Sequence, residues 1–242
     1  MENGFHMLNK KKIVVTGGQG RFGSVLKRHV GRNYFFPKKS ELNILKVNSI
    51  IRYLKKIKPK YLVHLAGLSR PLVLHEKNLE KSINLNIIGT SNIVIACKKF
   101  NIKLIYFSSS YVYPGTKGNY KETDALLPIN NYAWSKLGAE CAVQMYKNSL
   151  ILRVSMTEKP FIHKGAYANM ITNFIFHDDF IKIFKKILNK RGVLNIGGKT
   201  MSVYKFAKKY NKNVKKIYIK RNSFPKMPKN SSMSLKKLKK II

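Results

Sequence analysis

Tyr132 and Lys136 stand four residues apart in the stretch NYAWSK. On a helix that spacing is one turn, so a phenol and an ammonium share a face. A free tyrosine titrates near ~10 and exchanges protons poorly at neutral pH, whereas an adjacent ammonium favours the phenolate and lowers that value. Tyr132 is therefore a candidate proton donor or acceptor toward a substrate oxygen, with Lys136 tuning it. Ser109 is the third member of the set, because its hydroxyl can hydrogen-bond the same oxygen as it changes between alcohol and carbonyl. The matching reaction is hydride transfer. A Tyr–Lys pair at this spacing is by itself an ordinary helix face, and its meaning comes from the elements around it.

Those elements read as a nucleotide-binding α/β unit. Leu104 to Phe107 is a short, unbroken apolar run, expected to be a buried parallel strand that delivers Ser108, Ser109 and Ser110 to its carboxyl end. Ligands of open parallel sheets bind beyond those ends. Near the amino terminus, Ile13, Val14 and Val15 predict a strand followed by Gly17, Gly20 and Gly23, with Arg21 and Phe22 inside the turn and a helix around Val25, Leu26 and Val30. A strand, a glycine turn and a helix start in that order make a cradle for a pyrophosphate.

Tyr34 to Phe36 is expected as the second strand. Lys38 and Lys39 follow it with no acid before Glu41, which favours NADP(H), with NAD(H) as the alternative; a solvated lysine pair is the plain structural reading. The periodicity predicts a helix over 40–58, started by Ser40 or Asn43 and stopped by Pro59. Tyr61 to Leu65 reads as a third strand running into His64, Leu65, Ala66 and Gly67. Small residues at that strand end would let a cofactor lie against the backbone, and His64 is expected to be a packed strand residue. In the helix predicted from Asn84 to Cys97, Asn86 interrupts a buried face and needs partners there.

The 242 residues and 44% apolar content allow one large domain or one and a half. Met1 to Lys12 contains no apolar signal-peptide core, and no run approaches the ~20 residues needed to cross a bilayer, so a cytoplasmic protein with no membrane partner is expected. Cys97 and Cys141 lack metal-ligand spacing, as do the six histidines, and no metal site is expected. The net charge of +38 attracts polyanions in general, and 180–242 contain no acid at all. The basic residues are nearly all Lys, without a zinc finger or RNA-binding strand motif, so no specific nucleic-acid partner is expected.

With these motifs in hand, the chain resembles the extended short-chain dehydrogenase/reductase family, on the side of dTDP-4-dehydrorhamnose reductases and related sugar-nucleotide enzymes. The likeness is carried by TGGQGRFG at 16–23, HLAG at 64–67, NIIGT at 86–90, SSSYVYPGT at 108–116 and ETDALLPINNYAWSKLGAE at 122–140. The resemblance implies a doubly wound α/β Rossmann fold over 11–155, with a small, reduced substrate-binding portion over 156–242 that is partly interleaved with the sheet. It implies Ser109, Tyr132 and Lys136 as the catalytic set and Asn43 and Ile44 beside the adenine. Gly17, Gly20, Arg21, Phe22, Gly23, Lys38, Leu65, Ala66, Gly67 and Asn86 would complete the cofactor site with Tyr132 and Lys136. The implied activity is NAD(P)H-dependent reduction of a nucleotide-linked 4-keto-6-deoxysugar in cell-surface polysaccharide biosynthesis, by a homodimer. The family's dehydratases carry Asp-Glu after the hydroxyl residue; Ser110 and Tyr111 stand there, against dehydration. The reductases usually carry Asp where Ser110 stands, Arg-Pro where Met227-Pro228 stand, and a longer segment than Met156–Asp179. A nucleotide-sugar epimerase with bound NAD and a non-catalytic NADP-binding regulatory subunit are the alternatives.

Overall fold

The computed structural model describes residues 11–242. The reading of the first twelve residues as free of a signal peptide falls, for Met1 to Lys10, outside the described residues.

Six parallel strands form one sheet: β1 (Ile13–Thr16), β2 (Tyr34–Phe35), β3 (Tyr61–His64), β4 (Lys103–Ser109), β5 (Ser149–Val154) and β6 (Gly192–Ile196). Their order is β2-β1-β3-β4-β5-β6, all parallel, as predicted for a doubly wound sheet. Alternate residues of each strand face opposite layers. Val15, Val63, Ile105, Phe107 and Leu152 face α1 (Arg21–Arg28) and α5 (His177–Ile187), packing on Phe22, Leu26, Phe180 and Phe184. Val14, Leu62, Leu104, Tyr106 and Ile151 face α2 (Val47–Ile57), α3 (Gly89–Lys99) and α4 (Asn131–Gln144), packing on Ile50, Leu54, Ile93, Ala139 and Val143. Strands covered on both faces read as continuous apolar runs, which is why β1, β3 and β4 are legible from composition.

Because β2 and β3 lie on opposite sides of β1, the chain turns outward in two directions beyond the β1 and β3 ends, and a crevice opens there. A smaller cluster of Phe161, Met170, Phe176, Val203, Phe206 and Val214 builds the carboxyl-terminal portion beside that crevice. The tail returns through a Tyr120–Met233 bridge to the loop after β4.

Several boundaries differ from expectation. The helix predicted over 40–58 begins only at Val47, with Lys46 at its cap. The Lys38 N–H donates to Glu41 Oε2 (2.8 Å) and the Leu45 N–H to Asn43 Oδ1 (3.0 Å), so local side-chain bonds hold 38–46 as turns. The helix predicted from Asn84 is wound as a π-helical turn over Ile83–Ile88 before α3 begins. β4 extends through Ser109, and Ser110 opens a short 3₁₀ turn. Among the described residues no helix is long and apolar enough to cross a membrane, and no group of three or more His, Cys, Asp or Glu could hold a metal ion. Cys97 is buried and Cys141 exposed, both as free thiols.

Candidate active site

A cavity of about 610 Å³ lies beyond the carboxyl ends of β1, β3, β4 and β5. Its floor brings together the three residues singled out by type and spacing. Ser109 arrives as the last residue of β4, and its Oγ accepts a bond from the Tyr111 N–H (3.2 Å). Asn130 caps α4, its Oδ1 accepting from the Ala133 N–H (2.9 Å), so that Tyr132 enters the first turn and Lys136 the second. The Ser109 side chain bears on the Tyr132 phenol and favours its ionised form. All three residues line the cavity.

The electrostatics differ from the expected tuning. Burial pushes the Tyr132 phenol up from its ordinary value; the Ser109 side chain and then the charges of Arg70 and Arg21 oppose that rise. Lys136 is not among the groups that lower it. The Lys136 ammonium sits over the Tyr106 ring, 4.4 Å from its centroid, and burial pulls it down to about 7 against the opposing charge of Glu140. Burial thus works against the charged form of both groups.

Gly17, Gly20, Arg21, Phe22, Gly23, Leu65, Ala66 and Gly67 line the opposite end of the cavity. Gly17 has φ +71°, and a Cβ there would lie 2.5 Å from the Ala66 nitrogen, so the turn closes against the β3 loop only without a side chain. The first turn of α1 contains no acid, and its cap residue Gly20 offers no side-chain acceptor, which leaves the helix amino end to a ligand's negative charge. The cavity size, the glycine turn and the free helix end fit the diphosphate of a nicotinamide dinucleotide.

Asn86 stands one layer behind. It is buried; its Oδ1 accepts from the Leu68 N–H (2.7 Å), and its Nδ2 donates to Leu68 O (2.9 Å) and Ser135 Oγ (2.8 Å). The remaining three sequence candidates lie outside the cavity. Lys38 is exposed, its loop turned by Glu41. Asn43 borders a separate surface depression with Lys46 and Arg52. Ile44 is a core side chain against Gly89. His64 is the packed strand residue expected: Thr16 and Thr90 hold its two nitrogens at 2.7 and 3.1 Å, and burial pulls it down to about 3.

Glu158 and Arg70 are among the lining residues that the sequence reading passed over. Glu158 is paired with Arg21 (3.2 Å) and Arg70 (3.4 Å) across the mouth of the cavity. One signal for Glu158 existed: it is one of ten acids in 242 residues and follows closely on the LRVS strand motif.

Curated relatives match part of this chain in sequence. Methionine adenosyltransferase 2 subunit beta of Pongo abelii is 29% identical over 143 residues, covering 55% of this chain and 42% of that protein. The dTDP-4-dehydrorhamnose reductase of Aggregatibacter actinomycetemcomitans is 26% identical over 202 residues, covering 79% of this chain and 63% of that protein. The chain thus matches about half the length of the first of these and under two thirds of the second. In structure it is similar to a dTDP-4-dehydrorhamnose reductase from Bacillus anthracis solved with NADP, with TM-score 0.86, 22% identity and coverage of 95% of this chain and 92% of that one. A Bordetella bronchiseptica enzyme, WbmG, solved with NAD, aligns with TM-score 0.78 and 17% identity over 96% and 87%. Both likenesses establish the Rossmann-like fold. The model of the RmlD substrate binding domain matches residues 11–184, and the chain belongs to that family.

Proposed function

We propose that this protein is an NAD(P)H-dependent reductase of a 4-keto-6-deoxysugar carried on a nucleoside diphosphate. The observation that carries this reading is the convergence of Ser109, Tyr132 and Lys136 on one cavity, Ser109 from the end of β4 and the other two one turn apart on α4. A reduced nicotinamide bound along the glycine turn would supply the hydride. Ser109 would donate to the keto oxygen as negative charge develops on it, and Tyr132 would give that oxygen its phenolic proton. The raised phenol keeps the proton at neutral pH, which suits a donor. Lys136, near neutrality, would return a proton to Tyr132 and bond the nicotinamide ribose. NADP(H) is the favoured form, as bound in the Bacillus anthracis reductase, with NAD(H), as bound in WbmG, the alternative. Such a product would serve cell-surface polysaccharide synthesis. The exposed apolar residues Ile95 on α3 and Trp134 on α4, with Ile88 just before α3 and Met145 just after α4, support a homodimer.

The test is consumption of NADPH and NADH with dTDP- and UDP-linked 4-keto-6-deoxysugars. Turnover with one nucleotide series is the expected result, and no reduction of any of them despite tight NADPH binding would sink the reading. A second reading, a cofactor-binding regulatory subunit without turnover, is favoured by one feature. The strand pair Met156–Thr157 and Ile175–Phe176 directly follows β5 and leads into α5, which leaves a short segment for binding a sugar. The name of the Pongo abelii relative points the same way. Co-purification with a methionine adenosyltransferase and no keto-sugar reduction would support it.

A further inference from the structure

Among the described residues lining the cavity, Glu158 is the single carboxylate, and it faces two guanidinium groups. Arg21 holds it at 3.2 Å and Arg70 at 3.4 Å. Two cations against one anion leave a positive charge uncompensated at the cavity mouth. The contact to Arg70 is also loose: it runs through Nη1 alone, at the outer limit of a hydrogen bond, and the same nitrogen lies 3.4 Å from His163 Nε2. A guanidinium forms its strongest pairs through two parallel N–H bonds to a carboxylate or phosphate, and Arg70 makes no such pair with Glu158.

The two arginines have different positions. Arg21 is the first residue of α1, beside the glycine turn, and its Nη2 donates to Ser69 Oγ (2.8 Å). It flanks the place where a dinucleotide's diphosphate fits. Arg70 comes from the loop after β3, next to Ser69, and its Nη1 reaches His163 in the carboxyl-terminal portion. Its charge bears on both Tyr111 and Tyr132, whereas of these two that of Arg21 bears on Tyr132.

We propose that Arg70, with His163 beside it, is the subsite for the diphosphate of the substrate, and that Glu158 is an internal carboxylate occupying this subsite until a diphosphate displaces it. This rests on the reductase reading for the identity of the ligand. An incoming diphosphate offers Arg70 the two-bond geometry that Glu158 does not, and Glu158 stays paired with Arg21. Entry of an anionic substrate is thereby coupled to release of one ion pair at the mouth.

The test is a calorimetric titration of the full chain, first with NADPH and then, at saturating NADPH, with dTDP and with thymidine as the phosphate-free arm. Arg70→Gln is expected to weaken dTDP binding by about tenfold or more while NADPH affinity stays within about twofold. Arg70→Lys, which keeps the charge and loses the fork, should fall between the two. Glu158→Gln is expected to tighten dTDP severalfold, since the internal competitor is gone, and thymidine should respond to none of the three. Unchanged dTDP binding in Arg70→Gln, or weaker binding in Glu158→Gln, overturns the subsite. If NADPH binds the wild type and dTDP does not, the subsite falls while the cofactor site stands. If neither binds, both fall together.

Discussion

Asn86 and Ser135 are joined by a 2.8 Å hydrogen bond that ties the turn after β3 to the helix carrying Tyr132 and Lys136. The other atoms of the Asn86 amide close on both polar groups of the Leu68 backbone, and Ser135 Oγ in turn donates to the Tyr132 carbonyl (2.8 Å). One buried side chain thus fixes the loop after β3 against α4. Gly67, at φ +155°, is needed for this approach, because a Cβ there would lie 2.8 Å from Asn86 Oδ1.

Asn86→Ala is expected to cost about 2–3 kcal/mol, since the part-buried Leu68 N–H and carbonyl lose their partner and Ser135 Oγ loses one of its two bonds. Asn86→Asp should fall between it and the wild type at neutral pH, because it keeps the acceptor for Leu68 N–H and loses both donors. Urea unfolding of the three proteins checks the order. Equal stability of Asn86→Ala and the wild type would remove Asn86 from the positioning of α4.

Glu140, one turn after Lys136, is fully buried and accepts bonds from Ser108 Oγ (2.7 Å) and from the Arg153 guanidinium through Nε (3.0 Å) and Nη2. Arg153 also donates to the Tyr113 hydroxyl (2.8 Å), which bonds Asn195 on β6 (2.9 Å). Glu140→Ala leaves a buried guanidinium without its anion and is expected to lose about 3–5 kcal/mol. The double variant Glu140→Leu with Arg153→Met should recover much of that loss, because the uncompensated charge is then absent. Thermal denaturation of the single and double variants decides it.

Lys136 gives a pH-dependent prediction. Its folded value, about 7, lies below the ordinary 10.5 of the unfolded chain, so between those two values the unfolded state binds more protons and stability rises with pH. Lys136→Met removes that dependence. Solvent reaches Lys136 through the cavity, which discounts the effect, so the expected gain at about pH 6 is on the order of 1 kcal/mol, or roughly 2–4 °C in Tm, vanishing by about pH 10. The expected accompaniment is loss of reductase activity. A Tm difference that does not change with pH would contradict the assignment of a depressed amine.

What the sequence disclosed, and what it did not, follows from the range of the interactions. β1, its glycine turn and the Tyr132–Lys136 spacing are set by residues within a few positions of one another, so they are legible in order along the chain. Glu158 and Arg70 are 88 residues apart, and their pairing exists only once β3 and β5 lie in one sheet. In a chain with 48 Lys and Arg, a single arginine after HLAG carries no local mark. The late start of α2 has the same kind of cause: Glu41 and Asn43 bond to nearby backbone N–H groups and hold turns where periodicity predicts helix. Lys136 was legible as a partner of Tyr132 by spacing, whereas its placement over the Tyr106 ring depends on a strand 30 residues earlier.

The central claim is that Tyr132 donates the proton when a keto sugar is reduced. The most direct measurement is a single turnover of NADPH-loaded protein with dTDP-4-keto-6-deoxyglucose and its epimers, wild type against Tyr132→Phe, with NADPH affinity measured on both. The expected result is a rate lower by about 10²–10⁴ in the variant with NADPH affinity nearly unchanged. Equal rates in the two proteins, or tight NADPH binding with no turnover in either, would contradict it.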